Sequence, residues 1–140
     1  MPGTATTSLT LHADLSEVAR LNLWLAQQND LFAPDPGVMQ NMKLCLNEAI
    51  ANVISYGFNS PDTARIHLHL SFQPNRMDAI IVDNGRAFDP LSVAQAQPYD
   101  DLHSAEIGGF GIKLIRDTAS ALSYERVDGQ NVLRITCKAS

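Results

Sequence analysis

The sequence is poor in cysteine, in aromatic side chains and in positive charge, and it has no long apolar run. Only 2 of its 140 residues are cysteine, and 6% are aromatic. Lysine and arginine number 10 against 15 aspartate and glutamate residues, which gives a net charge of -5. Because no basic stripe is available to neutralise phosphates, a nucleic-acid-binding protein is not expected. No apolar run approaches the roughly 18 residues of a membrane-spanning helix, so no membrane association is expected either.

The two cysteines, Cys45 and Cys137, both lie within apolar runs. Reduced thiols in the core are the favoured interpretation, and a disulfide or a metal-binding pair is the alternative. The first 15 residues have no charged segment followed by an apolar one, so no signal peptide is expected. We therefore expect a cytoplasmic protein. The length and the 45% hydrophobic content fit a single domain, residues 1–140, with one core.

Hydrophobic periodicity predicts alternating strands and helices. Strands are predicted over residues 8–12, 65–72, 77–82, 122–127 and 132–138, the last two forming a hairpin. Helices are predicted over residues 15–29, 38–56 and 111–119. Asp14 or Ser16 is the candidate cap that starts the first helix, and Gly57 is the candidate cap that ends the second. This order predicts an α+β fold, a two-layer α/β sandwich with a mixed, mostly antiparallel sheet and about three helices on one face.

Glu48 and Asn52 stand four residues apart on the second predicted helix, in the stretch NEAIANVISYGF. At about 100° per residue they lie one turn apart, beside the apolar face that packs on the sheet. A lone Glu-x-x-x-Asn is most often an ordinary helix flank. A carboxylate at the border of the core is costly unless it has a partner, however, so the pair is a candidate functional site.

Asp83 comes at the end of an apolar strand and is followed by Asn84 and Gly85. An acid in this position can accept a hydrogen bond from a ligand that enters beside the tight backbone. A simple turn of the composition Asp-Asn-Gly is the alternative. A two-residue hairpin needs a strand directly afterwards, and residues 86–101 do not have the pattern of one.

A glycine-rich segment precedes the third predicted helix, with glycine at positions 108, 109 and 111. Glycine lets backbone N–H groups approach an anion closely, and a helix N-terminus adds a partial positive charge. Lys113 can add a cation there. The segment is neither a Walker loop, because it lacks Gly-Lys-Ser/Thr, nor a Rossmann fingerprint, because no strand directly precedes it.

Taken in order, the three motifs resemble the Bergerat ATP-binding fold of the GHKL superfamily. In particular, the exact motif sequences resemble those of the bacterial anti-sigma-factor serine/threonine kinases. These motifs are N-E-A-x-x-N-x-x-x-Y-G at 47–57, D-N-G-x-x-F-D-P at 83–90 and G-G-F-G-I at 108–112. The resemblance covers nearly the whole chain, from about residue 9 to residue 138.

The resemblance implies a role for each motif residue. Glu48 would act as a general base or orient the attacking hydroxyl, and Asn52 would bind Mg²⁺ through its side-chain oxygen. Asp83 would accept a hydrogen bond from the adenine amino group, with Gly85 allowing the ring close to the strand. Residues 86–107 would form a lid. The phosphates of ATP would be bound by the glycine-rich segment, through Gly108, Gly109, Gly111, Ile112 and Lys113.

The same resemblance implies a Mg-ATP-dependent protein kinase that acts as an anti-sigma factor. It would phosphorylate a STAS-type anti-sigma antagonist, sequester a sigma factor and form a homodimer, with Glu17 and Arg20 matching the family's partner-contacting Glu-x-x-Arg. Two departures are that Ala87 stands where the family often has glycine, and that residues 94–106 contain no lysine or arginine. A non-catalytic partner-switching module, with or without nucleotide, is therefore the alternative. A detached catalytic domain of a sensor histidine kinase is a less favoured third interpretation.

Overall fold

The computed structural model describes residues 4–91 and 109–140. Its strands are β1 (Ala5–Leu11), β2 (Ile66–Gln73), β3 (Arg76–Asp83), β4 (Ala121–Val127) and β5 (Gln130–Lys138), and its α-helices are α1 (Glu17–Phe32), α2 (Pro36–Tyr56) and α3 (Gly109–Thr118). The strands form one sheet in the order β1-β2-β3-β5-β4. The predicted α+β class is confirmed. The four strand pairings of the described residues are all antiparallel, where a mixed sheet was predicted.

The core lies between the sheet and the helices. Inward-facing residues of the three central strands alternate with outward ones, as the period of two requires. Buried residues from these strands include Leu68, Leu70, Met77, Ile81 and Ile135, and those from α2 include Met42, Leu46 and Ile50. No helix among residues 4–91 and 109–140 is long and apolar enough to cross a membrane.

Cys45 on α2 and Cys137 on β5 both belong to this core, and both are free thiols. The prediction of reduced core cysteines is therefore confirmed. The hydrogen bond between the two thiols, together with burial, raises the pKa of Cys45. This keeps that thiol protonated at neutral pH.

Helix α1 begins at Glu17, two residues later than predicted. The Asp14 carboxylate accepts the backbone N–H of Ser16 at 3.0 Å, and the Glu17 carboxylate accepts the N–H of His12 at 2.9 Å. Ser16 is the N-cap residue, but its hydroxyl makes no capping bond. Both acids thus fix the turn that leads from β1 into the helix.

Helix α2 begins before the predicted start because Pro36 occupies its first turn, where a proline needs no N–H partner. Asp35 is the N-cap residue and accepts the N–H of Val38 at 3.0 Å. Gly57 ends the helix, as predicted, but with right-handed dihedrals (φ -85°) instead of the left-handed cap. Glycine is needed there because a Cβ atom would lie 2.6 Å from the carbonyl oxygen of Val53.

Candidate nucleotide-binding site

Helix α2 brings Glu48 and Asn52 against the first turn of α3. Both side chains are half-buried. A Cβ atom built on Gly111 would lie 2.6 Å from Glu48 Oε1 and 3.5 Å from Asn52 Nδ2. Any larger residue at position 111 would therefore displace the carboxylate. The structure thus joins the first and third sequence motifs at one place.

Asp83 closes the other end of the site, at the C-terminus of β3. Its side chain is buried, and Oδ1 accepts hydrogen bonds from the N–H of Gly85 at 2.8 Å and from Asn131 Nδ2 at 2.9 Å. Burial raises the pKa of Asp83, and the two hydrogen bonds and the nearby charge of Arg126 oppose that rise without cancelling it. A buried acid with a raised pKa in a cleft is typical of functional sites.

A mostly apolar pocket lies over the inner face of β3 and β5, between α2 and α3. Its walls are aliphatic and aromatic, and its polar groups are few, as in many small-molecule sites. Asn52 and Asp83 both line it, so the α2 motif and the β3 motif open into the same space. The apolar part of the lining consists mainly of Val53, Ile81, Phe88, Ile112, Ile115 and Leu133.

The loop after β3 is fastened to the C-terminus of α2. Arg86 donates its backbone N–H to the carbonyl oxygen of Gly57 at 2.9 Å and its Nε to the carbonyl oxygen of Tyr56 at 2.8 Å. A Cβ atom on Gly85 would lie 2.4 Å from the Gly57 carbonyl oxygen. The position of Gly85 therefore demands glycine for contact with the helix end, whereas the sequence prediction assigned it to the base.

The remaining predicted nucleotide ligands are distributed around α3. Ile112 is buried and lines the pocket. Gly109 is the first residue of the helix. Lys113 forms an ion pair with Asp117 at 2.7 Å, one turn along the exposed side of α3. Gly108 and residues 92–107 of the predicted lid lie outside the described residues.

The two predicted partner-binding residues lie on α1, which contributes no residue to the described pocket lining. Arg20 Nη1 donates to the carbonyl oxygen of Thr10 at 2.9 Å and to Glu17 Oε2 at 3.0 Å. The Arg20 side chain is 51% exposed and the Glu17 side chain 13% exposed. The largely buried Glu17 side chain therefore stabilises the turn between β1 and α1, whereas part of the Arg20 guanidinium is open to solvent.

Sequence reasoning missed a polar cluster beside Asp83. Asn131 on β5 is buried, although it stands in a strand whose other inward residues are apolar. Tyr124 Oη and Arg126 Nη1 on β4 both donate to Asn131 Oδ1. The signal was present in the alternation of β5, which places position 131 on the same inner face as Leu133. A lone amide on such a face needs buried partners.

The side-chain oxygen of Asn52 fits a magnesium ion that substrate phosphates also bind. Mg²⁺ is usually bound through one or two protein oxygens together with water and substrate phosphates, without a complete protein cage. The Asn52 amide supplies one such oxygen beside a helix N-terminus, and the Glu48 carboxylate next to it remains available to accept a proton. In the part of the chain that the structure describes, no group of three or more His, Cys, Asp or Glu side chains could hold a metal on its own.

The chain is similar to known proteins over most of its length. A family model described as a histidine kinase-like ATPase domain matches residues 11–137. In the crystal structure of the RsbU and RsbW domains of Rv1364c from Mycobacterium tuberculosis, the matching region covers 96% of this chain and 32% of that chain. The TM-score is 0.68 at 12% sequence identity, which shows a shared fold.

Two curated relatives carry kinase names. The serine/threonine-protein kinase BtrW of Bordetella bronchiseptica is 33% identical over 133 residues, which cover 95% of this chain and 87% of BtrW. The serine-protein kinase RsbW of Oceanobacillus iheyensis is 25% identical over 81 residues, which cover 55% of this chain and 51% of that protein. The similarity to BtrW thus extends over nearly the whole of this chain, and that to RsbW over about half of each chain.

Proposed function

The chain belongs to the histidine kinase-like ATPase domain family, and we propose that it is a Mg-ATP-dependent anti-sigma factor that phosphorylates a STAS-type antagonist. The predicted family resemblance and the predicted enzyme class, a serine/threonine protein kinase, are confirmed by the family match and by the relative BtrW. The acceptor, the metal and the partners are the proposed part.

The meeting of Glu48 and Asn52 with Gly111 is the observation that carries the proposal. It brings a carboxylate and an amide to the first turn of α3, where the N–H groups of a helix have no partner within the helix. Such a helix end favours negatively charged phosphates. The apolar pocket that ends at Asp83 extends from this point and suits a planar base with an exocyclic amino group.

Each residue has a distinct task in the proposed reaction. Asp83 accepts a hydrogen bond from the adenine amino group, and Asn52 holds Mg²⁺, which neutralises phosphate charge when bound. Gly108, Gly109 and Gly111 supply backbone N–H groups to the phosphates. Glu48 takes the proton of the acceptor hydroxyl or orients that hydroxyl. Phosphoryl transfer depends mainly on positioning and charge neutralisation, so this set suffices without a basic patch.

The partner surface is proposed to lie on α1 and β1. Arg20 can hold a partner carboxylate, because a guanidinium has several donors and only Nη1 makes hydrogen bonds among the described residues. Leu23 and Leu31 on the same helix are 70% and 72% exposed, and β1 is an edge strand. Exposed leucines and a free strand edge support a docking surface for a sigma factor or a second copy of the chain.

Incubation with labelled ATP, Mg²⁺ and a STAS-domain protein tests this function. We expect label on the acceptor and none on an acceptor in which the phosphorylatable serine or threonine is replaced by alanine. Chelation of Mg²⁺ should abolish the transfer. Nucleotide binding without transfer to a cognate acceptor would contradict the kinase and favour the non-catalytic partner-switching module.

A further inference from the structure

Asn131 hydrogen-bonds both to Asp83, the acid proposed to bind the adenine base, and to the loop after β3. In the antiparallel register of β3 and β5 it lies directly opposite Asp83. The side chain of Asn131 is 6% exposed and that of Asp83 is 4% exposed, on the face of the sheet that carries the helices. Asn131 also reaches the chain beyond β3, because its Nδ2 donates to the carbonyl oxygen of Arg86 at 2.8 Å.

The orientation of the Asn131 amide is determined by its surroundings. Three donors converge on Oδ1: Tyr124 Oη, Arg126 Nη1 at 3.1 Å and the N–H of Phe88 at 3.4 Å. An amide nitrogen cannot accept these bonds, so the oxygen must face them and Nδ2 must face Asp83. These three donors therefore hold the amide so that its donor, Nδ2, faces the carboxylate of Asp83.

This donor determines which oxygen of Asp83 is available to a ligand. Among the described residues, the hydrogen bonds to the Asp83 side chain both end on Oδ1, from Asn131 at 2.9 Å and from Gly85 at 2.8 Å. Oδ2 is left as the acceptor for a base in the pocket that Asp83 lines. Asn131 thus orients the carboxylate without itself needing to contact the base.

The same donor favours the ionised state of Asp83. Burial raises the pKa of this acid, and the hydrogen bond from Asn131 is the largest influence that opposes the rise. An ionised carboxylate only accepts hydrogen bonds, whereas a protonated one can also donate. Ionised Asp83 therefore matches a 6-amino purine and disfavours a 6-oxo purine, and protonation relaxes that preference.

Few other charged groups in the described part of the chain face Asp83. The described pocket lining supplies Arg86, from the loop after β3, and the titratable Tyr124, from β4. Arg126 on β4 lies close enough to lower the pKa of Asp83 by its charge. The lining residues from α2 and α3 are uncharged: Ala49, Asn52, Val53, Gly57, Ile112 and Ile115. On β2, the residue paired with Asp83 is the apolar Ile66.

We propose that Asn131 is the positioning residue that sets the base preference of the site, by holding Asp83 ionised with one oxygen turned to the ligand. The ligand class is a 6-amino purine nucleotide. This inference rests on the proposed function only in that the pocket binds a purine nucleotide. It requires no phosphoryl transfer.

Calorimetric titration of the full chain with ATP and with inosine triphosphate, across a range of pH, tests the proposal. The two nucleotides differ at position 6 of the purine, where ATP has an amino donor and inosine triphosphate an oxo acceptor, and in the hydrogen that the inosine base carries on N1. In the parent protein the preference for ATP should fall as the pH drops through the pKa of Asp83. In Asn131→Ala the ATP affinity at neutral pH should fall about tenfold, the loss expected when a hydrogen bond to a charged group is removed. The pH midpoint of the preference should also move upward.

Two further variants separate positioning from folding. Tyr124→Phe keeps the ring and removes one of the donors that orient Asn131, so a smaller shift of the same sign is expected. Thr136→Val is the matched control, because Thr136 donates to Asp78 across the same pair of strands, five residues along and on the opposite face. It should leave both the ATP preference and its pH midpoint unchanged.

The outcomes distinguish this inference from the proposed function. If folded Asn131→Ala has the same preference for ATP and the same pH midpoint as the parent, the assignment of Asn131 is overturned. The proposed nucleotide site is not affected by that result. If Asn131→Ala does not fold, an unchanged ATP preference and pH midpoint in Tyr124→Phe overturn the assignment of Asn131 instead. A parent protein that binds neither nucleotide overturns the nucleotide site and this inference together.

Discussion

Asp83 is held where its negative charge is unfavourable. Burial raises its pKa, so between its unfolded and its folded pKa the folded chain binds more protons than the unfolded chain. The free energy of unfolding therefore falls as the pH rises through that interval. The ionised form of Asp83 therefore lowers stability, which is the expected cost of an acid kept for ligand binding.

Substitution of Asp83 by asparagine should separate stability from binding. The amide removes the buried charge, so the melting temperature at neutral pH should rise. The N–H₂ group of the new amide and the amino group of adenine are both hydrogen-bond donors, so they cannot bond to each other. ATP affinity should therefore fall by about 10- to 100-fold, the range for a lost hydrogen bond to a charged group. Thermal melting and calorimetric titration of the same protein measure both.

Asp78→Asn is the control for this substitution, because Asp78 lies on the same strand. Burial raises the pKa of Asp78, but hydrogen bonds from Arg76 and Thr136 prevail and lower it. Its ionised form therefore adds stability above the unfolded pKa, and that stability is lost as the pH falls. Asp78→Asn should lower the melting temperature and leave ATP affinity unchanged. Equal effects of the two substitutions would contradict the binding role of Asp83.

Asn52 is expected to act through magnesium. ATP should raise the melting temperature of the parent protein by mass action, and more so with Mg²⁺ than without it. Asn52→Ala should remove the magnesium-dependent part of that gain and keep the remainder. A magnesium-independent gain of equal size in both proteins would be inconsistent with Asn52 as a metal ligand.

At the scale of secondary-structure elements, the end of α2 and the loop after β3 act as one unit. Arg86 donates to the last carbonyl groups of α2, where a cation also interacts favourably with the helix dipole. Gly85 packs against the carbonyl oxygen of Gly57. This contact sets the distance between the helix that carries Glu48 and Asn52 and the strand that ends at Asp83.

Gly85→Ala should disrupt that unit. Its Cβ atom would lie 2.4 Å from a backbone oxygen, which cannot rotate away, so we expect a loss of about 1–3 kcal/mol in the free energy of unfolding, as for other overpacked sites. Gly37→Ala in α2 is the control, since its Cβ atom would meet only the Asp35 carboxylate, at 3.4 Å. Denaturant unfolding measures both variants, and equal stability of Gly85→Ala and the parent would refute the packing role.

The sequence predicted the elements well because each carries its own periodicity. The hairpin around Asp128 and Gly129 is an example, since both residues have the positive φ that its two-residue turn requires. The start of α2 was predicted too late, at residue 38, because apolar periodicity does not reveal a first turn that begins with Asp35 and Pro36. The predicted boundaries failed where side chains cap the chain, as Asp14 and Glu17 do before α1.

The contacts within the site were harder to predict. Glu48 and Asn52 were found from their spacing on one helix and from the family resemblance. The Asn131 cluster was missed because it depends on the register between β3 and β5, which joins positions 48 residues apart. The contact of Gly85 with Gly57 was missed because it depends on how the end of α2 packs against the loop after β3. Local patterns specify which face a residue occupies, and only the pairing of distant strands specifies what it meets.

For the whole molecule, partner binding and nucleotide binding are expected to be separable. Arg20 lies on α1, and the described pocket lining comes from α2, α3, the sheet and the loop after β3. Arg20→Ala should weaken binding to a sigma factor or a STAS protein, by about 30-fold or more if an ion pair at a buried interface is lost, and leave ATP affinity unchanged. Arg116→Ala, an exposed arginine on α3, is the control. Unchanged partner affinity in Arg20→Ala would limit Arg20 to its contacts with Thr10 and Glu17.

The most direct test of the kinase assignment compares the parent with Glu48→Gln. Glutamine keeps the size of the side chain beside Gly111 but cannot take a proton. An interaction that matters mainly in the transition state should change the chemical step more than ground-state binding. Glu125→Gln, on the exposed part of β4, is the control for the loss of one negative charge.

The measurement is the rate of phosphate transfer from Mg-ATP to a cognate STAS-domain protein, with the ATP affinity of each variant determined alongside. Glu48→Gln should bind ATP as the parent does and transfer phosphate at least about tenfold more slowly, within the range for lost general-base catalysis. Glu125→Gln should match the parent in both. Transfer by Glu48→Gln at the parental rate would contradict the account.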